Sequence, residues 1–326
     1  MLAADALKSA KLKPIALVEK EGLSLINGTQ IMLTVGGLAL AIARTYLNRA
    51  DHIAALSYEA LIGNPDALNP RIHELRGQIG QIEAAGNMLK ALQGSYLFDS
   101  KTKRLRVQDP YSLRCAPQVH GPSRDALRHA CQVAEIELNA VTDNPLVFAD
   151  QKKILSGGNF HGQPLALAFD FAAMAMAEIC NISERRLELL LNPHMSGLPA
   201  FLTPREGLNS GYMVLQYLNA STVNENKILA NPACTDSIPG NVGIEDHVSM
   251  GMTSAKKLKR LVQNVRVVLT AEMLAATQAI DLRKIKKLGV GTKTIYEAVR
   301  AVVPKLENDR IIQDDIIKAI DVFDKL

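Results

Sequence analysis

The chain has 326 residues, 48% of them hydrophobic and 4% aromatic, and a net charge of +4. That length allows one large domain or about two, and that apolar content allows a sizeable core. Charged residues at 21% and a near-neutral balance exclude a disordered polyelectrolyte and argue against a dedicated nucleic-acid binder.

With no Trp and few other aromatics, the core must come from Ala, Leu, Ile and Val, which suits closely packed helices. The four cysteines (Cys115, Cys131, Cys180, Cys234) have no CxxC spacing, so buried thiols in a reducing compartment are expected rather than disulfides or a metal site. The first residues, Met1 to Lys13, hold no apolar signal core. The reading is a cytoplasmic protein with no membrane span and no nucleic-acid partner.

In chain order, Ile31 to Ile62 predicts one long helix, and Arg71 to Leu92 an amphipathic one. Pro110 and Pro117 mark an irregular stretch, followed by a helix from about Ser123 to Ala140. Thr142-Asp143-Asn144-Pro145 signals a turn. Leu146-Val147-Phe148 and Ile154-Leu155 then predict a small hairpin. From Phe160 to Leu191 runs an Ala-rich helix, apolar on every side and therefore buried in a large core or an assembly. The apolar run Ile31 to Ala43 is likewise read as buried. Two further long helices, Leu208 to Ala230 and Ile244 to Ala279, flank a loop rich in Pro, Gly and Asn. Two shorter helices end the chain. The expected fold is an all-α, extended antiparallel bundle with at most a small β-hairpin near 146–155. Residues 1–287 form its body and 288–326 a peripheral element.

Four polar stretches interrupt this pattern, and each admits a structural and a functional reading. Asn27-Gly28-Thr29 is a turn in which Thr29 caps the next helix, or a place where the Asn27 amide enters a site. Gln108-Asp109-Pro110-Tyr111-Ser112-Leu113-Arg114 holds an Arg fork suited to a carboxylate, and a Tyr able to move a proton; Arg114 equally well ties down a loop. Gly157-Gly158-Asn159-Phe160-His161-Gly162 lacks the Gly-Lys-Ser/Thr of a phosphate loop. It is a turn capped by Asn159, or a site floor with Phe160 against a ligand ring. Gly243-Ile244-Glu245-Asp246-His247 is expected to open a helix, with acids favoured by the helix dipole.

Taken together, the segments KEGLSLINGTQ, QDPYSLRCAPQ, NAVTDNPLVF, SGGNFHGQP and EDHVSM resemble the histidine branch of the aromatic amino-acid ammonia-lyase and aminomutase family. NEN at Asn224 to Asn226 and the run from Pro204 add to the match, which covers nearly the whole chain. The resemblance implies an aspartase-like helical bundle, a homotetramer with sites shared between subunits, and elimination of ammonia from L-histidine to give urocanate. It implies that Arg114 grips the α-carboxylate and that Tyr111 assists proton movement. Asn27 and Gln108 then hydrogen-bond the substrate or prosthetic group, Phe160 forms an apolar wall, and Glu245 holds the imidazole or acts in acid–base work. Ile244 and Gln163 depart from the family's histidine pattern.

The resemblance also implies a methylidene-imidazolone (MIO) electrophile, formed from an internal Ala-Ser-Gly. No Ala-Ser-Gly occurs in these 326 residues, and only 26 residues precede Asn27. The chain therefore reads as the C-terminal part of such an enzyme, inactive alone, or as half of a split enzyme with a separate N-terminal chain. A degenerate helical scaffold, or a relative acting on another aromatic amino acid, are the alternatives.

Overall fold

The computed structural model describes all 326 residues. Thirteen helices follow in order: α1 Ala3–Ser9, α2 Glu21–Ile26, α3 Gln30–Ala60, α4 Pro70–Arg76, α5 Ile79–Ala91, α6 Tyr111–Arg114, α7 Ala116–Glu137, α8 Gln163–Leu191, α9 Pro193–Ser196, α10 Met213–Leu229, α11 Gly251–Arg283, α12 Val290–Val302 and α13 Ile312–Phe323. The only sheet is a hairpin, β1 Leu146–Phe148 against β2 Lys153–Leu155, with Leu146 opposite Leu155.

The pattern of α3 shows how the bundle forms. Leu33, Gly36, Leu40, Ala43, Leu47, Ala50 and Ala54 are buried, a three-four spacing that turns one face inward. From Ile53 to Ala60 every residue is buried, so the helix passes from the bundle's side into its centre. The α11 helix does the same from Val268 to Ile280. On α8, Ala166, Ala168, Ala172, Ala173, Ala175 and Ala177 are all buried, as their small size predicts. Gly36 removes the last obstacle to close approach. A Cβ there would lie 2.2 Å from the Phe169 ring of α8.

Several predicted boundaries need correction. Residues 71–92 form two helices, because Gly77 takes a left-handed turn with φ +76° and ends α4. Helix α7 starts at Ala116 rather than Ser123; Pro117 sits in its first turn, where no backbone donor is needed. The segment 244–250 is not helical, and α11 starts only at Gly251. Helices α8 and α10 also begin later than predicted, at Gln163 and Met213. Thr29 does not cap α3 with its side chain, but donates to Glu137 Oε1 at 2.7 Å. Asn159 donates to the Val141 carbonyl at 3.2 Å instead of capping α8, whose N-cap is Gly162.

Not all of the apolar surface is covered. Ile31, Leu38 and Ile42 on α3, and Leu167, Phe171 and Met174 on α8, are exposed, which corrects the buried reading of the first run. The stretch Glu21–Ala60, which spans α2 and α3, and helix α8 are long and apolar enough to cross a membrane by length and composition; their most apolar stretches are 28% and 72% buried within the protein. All four cysteines are free; Cys180 and Cys234 are buried, Cys115 and Cys131 half-buried.

Candidate active site

The Arg114 stretch organises itself. Asp109 is buried, and its Oδ2 accepts the Asn64 N–H at 2.6 Å, pinning the segment to the loop after α3. Pro110, with an extended backbone, then starts the single turn of α6. Arg114 folds back over that turn. Its Nε donates to the Asp109 carbonyl at 2.9 Å and its Nη2 to Gln108 Oε1 at 3.2 Å. Its Cζ lies 4.6 Å from the Tyr111 ring centroid, a cation–π contact. A guanidinium has five N–H donors. Both Nη1 donors and one on Nη2 carry no protein partner, and these make an end-on fork for a carboxylate. Tyr111 is 69% exposed, so the fork stands at the surface.

Beneath the turn lies a buried ionic cluster. Arg186 of α8 meets Glu272 of α11 edge-on, with Nε to Oε1 at 2.5 Å and Nη2 to Oε2 at 2.9 Å. Ser57 and Ser183 each donate to the same carboxylate at 2.6 Å. His120 Nδ1 donates to Asp51 Oδ1 at 2.7 Å, and Asp51 also pairs with Arg124 and accepts from Asn87 at 2.9 Å. The other ring nitrogen of His120 faces Arg186 Nη1 at 3.5 Å, so the neutral tautomer satisfies both contacts.

Burial pushes the His120 pKa down, against the pull of Asp51. A histidine held neutral in the fold takes up its proton more readily when unfolded. Its contribution to stability is therefore full above about pH 6.5 and is lost as pH falls toward the lowered folded value. Thermal unfolding followed from pH 7.5 to 5.5 should show a falling midpoint, and His120→Gln should flatten that slope. An unchanged slope in the variant would assign the effect to other groups.

Asn27, Phe160 and Glu245 lie at the opposite end of the bundle. Gly162 and Gly251 both press on Met32 of α3: a Cβ on either would come within 2.7 Å of its sulfur or methyl. His161 bonds through Nε2 to the His247 carbonyl at 3.1 Å, and the two rings lie 5.5 Å apart. The Phe160 and Glu245 segments are thereby joined at the start of α3. Glu245 itself is exposed and pairs with Gly240 through the backbone. Asn27 is also exposed, at the end of α2, and Phe160 is half-buried. The loop before Glu245 is held by Asp170, whose carboxylate accepts the Ala233 and Cys234 N–H groups and the Ser254 hydroxyl, all at 2.8 Å. Burial opposes its ionisation, but these bonds and Lys257 prevail and hold the pKa below the usual carboxylate range.

The six candidate residues thus fall into two groups of three. Gln108, Tyr111 and Arg114 share one end of the bundle, and Asn27, Phe160 and Glu245 the other. Tyr58, which touches the Arg114 turn, and Gln30 are about eight turns apart on α3, some 40 Å along its axis. One chain does not bring the two groups together. The sequence assigned no role to Asp109, Tyr58 or Arg186; for Asp109 the signal was an acid just before the Pro of the Tyr111 turn. No group of three or more His, Cys, Asp or Glu side chains is placed to hold a metal ion.

Comparison with known proteins identifies the family. Residues 1–301 match the family described as aromatic amino acid lyase. The chain is 51% identical to histidine ammonia-lyase of Treponema denticola over 98% of its own length and 62% of that protein. It is also 51% identical to that of Geobacillus kaustophilus, over 97% and 62%. The chain therefore spans about three-fifths of the curated relatives it matches. The crystal structure of histidine ammonia-lyase from Trypanosoma cruzi superposes with a TM-score of 0.91 at 42% identity, covering 99% of this chain and 61% of that one. Tyrosine aminomutase from Streptomyces globisporus gives 0.92 at 38%, covering 99% and 65%. With the helical bundle and these matches agreeing, the chain belongs to the aromatic amino acid lyase family.

Proposed function

We propose that this chain is the helical body of a histidine ammonia-lyase, which eliminates ammonia from L-histidine to give urocanate. The observation that carries the reading is the open fork of Arg114, steadied by Gln108, the Asp109 carbonyl and the Tyr111 ring. Such a fork binds an α-carboxylate end-on and fixes its plane. Tyr111 beside it is the group we assign to accept or return the substrate's β-proton. Glu245 offers a carboxylate to an imidazole N–H, Phe160 an apolar wall, and the Asn27 amide a donor and an acceptor. The exposed carboxylate of Glu245 favours histidine over a substrate with an apolar ring.

The two groups serve one site only if different copies of the chain supply them. The uncovered apolar faces of α3 and α8 support such an assembly, in which a tetramer is the expected state. The MIO electrophile, when bound, supplies the electron sink that turns the amine into a leaving group. Its Ala-Ser-Gly precursor is not among these 326 residues, so the group comes from residues outside them. The 326 residues alone should turn nothing over.

The test joins this chain to an Ala-Ser-Gly-bearing region of a longer relative and follows urocanate absorbance. Urocanate from L-histidine, with phenylalanine and tyrosine untouched, is the expected result. Turnover of tyrosine or phenylalanine instead would overturn the substrate. Turnover by the isolated 326 residues would overturn the dependence on an outside electrophile.

A further inference from the structure

The Arg114 turn carries its substrate-facing groups on top and is fixed from underneath. Two successive carbonyls of the turn point into the protein, where each meets a buried donor from a different helix. The Leu113 carbonyl accepts the Tyr58 hydroxyl of α3 at 2.7 Å. The Ser112 carbonyl accepts from Arg186 Nη1 of α8 at 3.4 Å. Tyr58 and Arg186 are both fully buried and touch no surface from which a substrate arrives. Each is itself fixed. A Cβ on Gly63 would lie 2.6 Å from the Tyr58 ring, so that glycine leaves room for the ring to lie flat against the chain. Arg186 is locked edge-on to Glu272, which is saturated by Ser57 and Ser183.

We propose that Tyr58 and Arg186 are positioning residues, which set the height and tilt of the Tyr111–Arg114 turn and so aim the Arg114 fork at the substrate carboxylate. The inference rests on the reading of Arg114 as that fork.

A single helical turn has few internal bonds of its own. In α6 the N–H groups of Leu113 and Arg114 share the Pro110 carbonyl, at 3.0 and 3.1 Å, and Cys115 bonds back to Tyr111 at 2.9 Å. Its carbonyls at 112 and 113 would otherwise be unpaired in the interior, where an unmet polar group is unfavourable. Removing the Tyr58 hydroxyl therefore lets the turn shift toward another donor. A shift of about 1 Å misaligns an end-on pair, because bidentate contact depends on the plane of the guanidinium.

The experiment uses the protein supplied with its Ala-Ser-Gly region and compares Tyr58→Phe, Arg186→Lys and Arg114→Lys. Tyr58→Phe keeps the ring and deletes one hydroxyl, so the fold is retained. It should raise KM for L-histidine about fivefold with kcat within about twofold, since carboxylate binding is lost alike in ground and transition states. Arg186→Lys should act in the same direction. In the 326-residue chain itself, Tyr58→Phe should speed amide hydrogen exchange at residues 113–115, a readout that needs no activity. If Arg114→Lys raises KM while Tyr58→Phe changes neither KM nor exchange, the positioning role is wrong and the fork stands. If Arg114→Lys leaves KM unchanged, the reading of the fork itself fails. A fall in kcat alone for Tyr58→Phe would also overturn the proposal, because it would place the hydroxyl's effect on the chemical step rather than on carboxylate grip.

Discussion

Arg114→Ala should lower kcat/KM for L-histidine by about 100- to 1,000-fold in the protein that carries its electrophile. The figure follows from the bonds at stake. Hydrogen bonds between charged partners contribute about 1.5–3 kcal/mol each, and an end-on fork makes two. A factor of ten corresponds to about 1.4 kcal/mol, so losing most of that contact costs two to three powers of ten. The loss should be read against L-histidinamide, which has no carboxylate. The unaltered protein should handle the amide poorly, and the variant should handle histidine and its amide almost alike. If the variant still prefers histidine by the original margin, another group binds the carboxylate. Lys293→Ala, on the exposed face of α12, should leave both substrates unaffected.

The second large effect concerns stability. Glu272→Gln should destabilise the chain by about 3–5 kcal/mol, read as a drop of roughly 5–10 °C in unfolding temperature. The carboxylate accepts four hydrogen bonds, from Ser57, Ser183 and the Nε and Nη2 of Arg186, with no exposure to water. An amide in its place turns one acceptor into a donor facing other donors. It also strands the Arg186 charge, and an unpaired buried charge is the costly state. The double variant Arg186→Met with Glu272→Leu should recover at least half of that loss, because no charge is then left inside. It should not recover a low KM, because Arg186 would no longer meet the Ser112 carbonyl. A double variant less stable than Glu272→Gln would show that the pair stabilises beyond its own compensation.

Most of the fold was legible because helical periodicity is local. The three-four spacing on α3 and the alanines of α8 are visible in consecutive residues, and so was the hairpin at 146–155. Boundaries failed where a tertiary cause decided them. Pro110 and Pro117 looked like the marks of an irregular stretch, but Pro117 sits in the first turn of α7, which then continues through Pro122. The acids at 245 and 246 looked like the start of a helix, but Asp170, far upstream, holds the preceding loop in another path. The candidate residues were legible through their motifs, and resemblance supplied their roles. What lies beneath them was not. Asp51, His120, Arg186 and Glu272 carry no motif, and they meet only because four helices converge in the centre. Nor did any local pattern indicate that the two groups of site residues stand at opposite ends.

That last arrangement has a genetic meaning. If each site borrows one end from one copy and the other end from its neighbour, a chain damaged at Arg114 still lends a sound Glu245. A chain damaged at Glu245 still lends a sound Arg114. Two such defective alleles, expressed together, complement each other in mixed assemblies, whereas two alleles damaged at the same end do not. By the same logic, one chain damaged at a single end spoils only the site to which it lends that end. The length of α3 therefore decides how mutations in this protein combine.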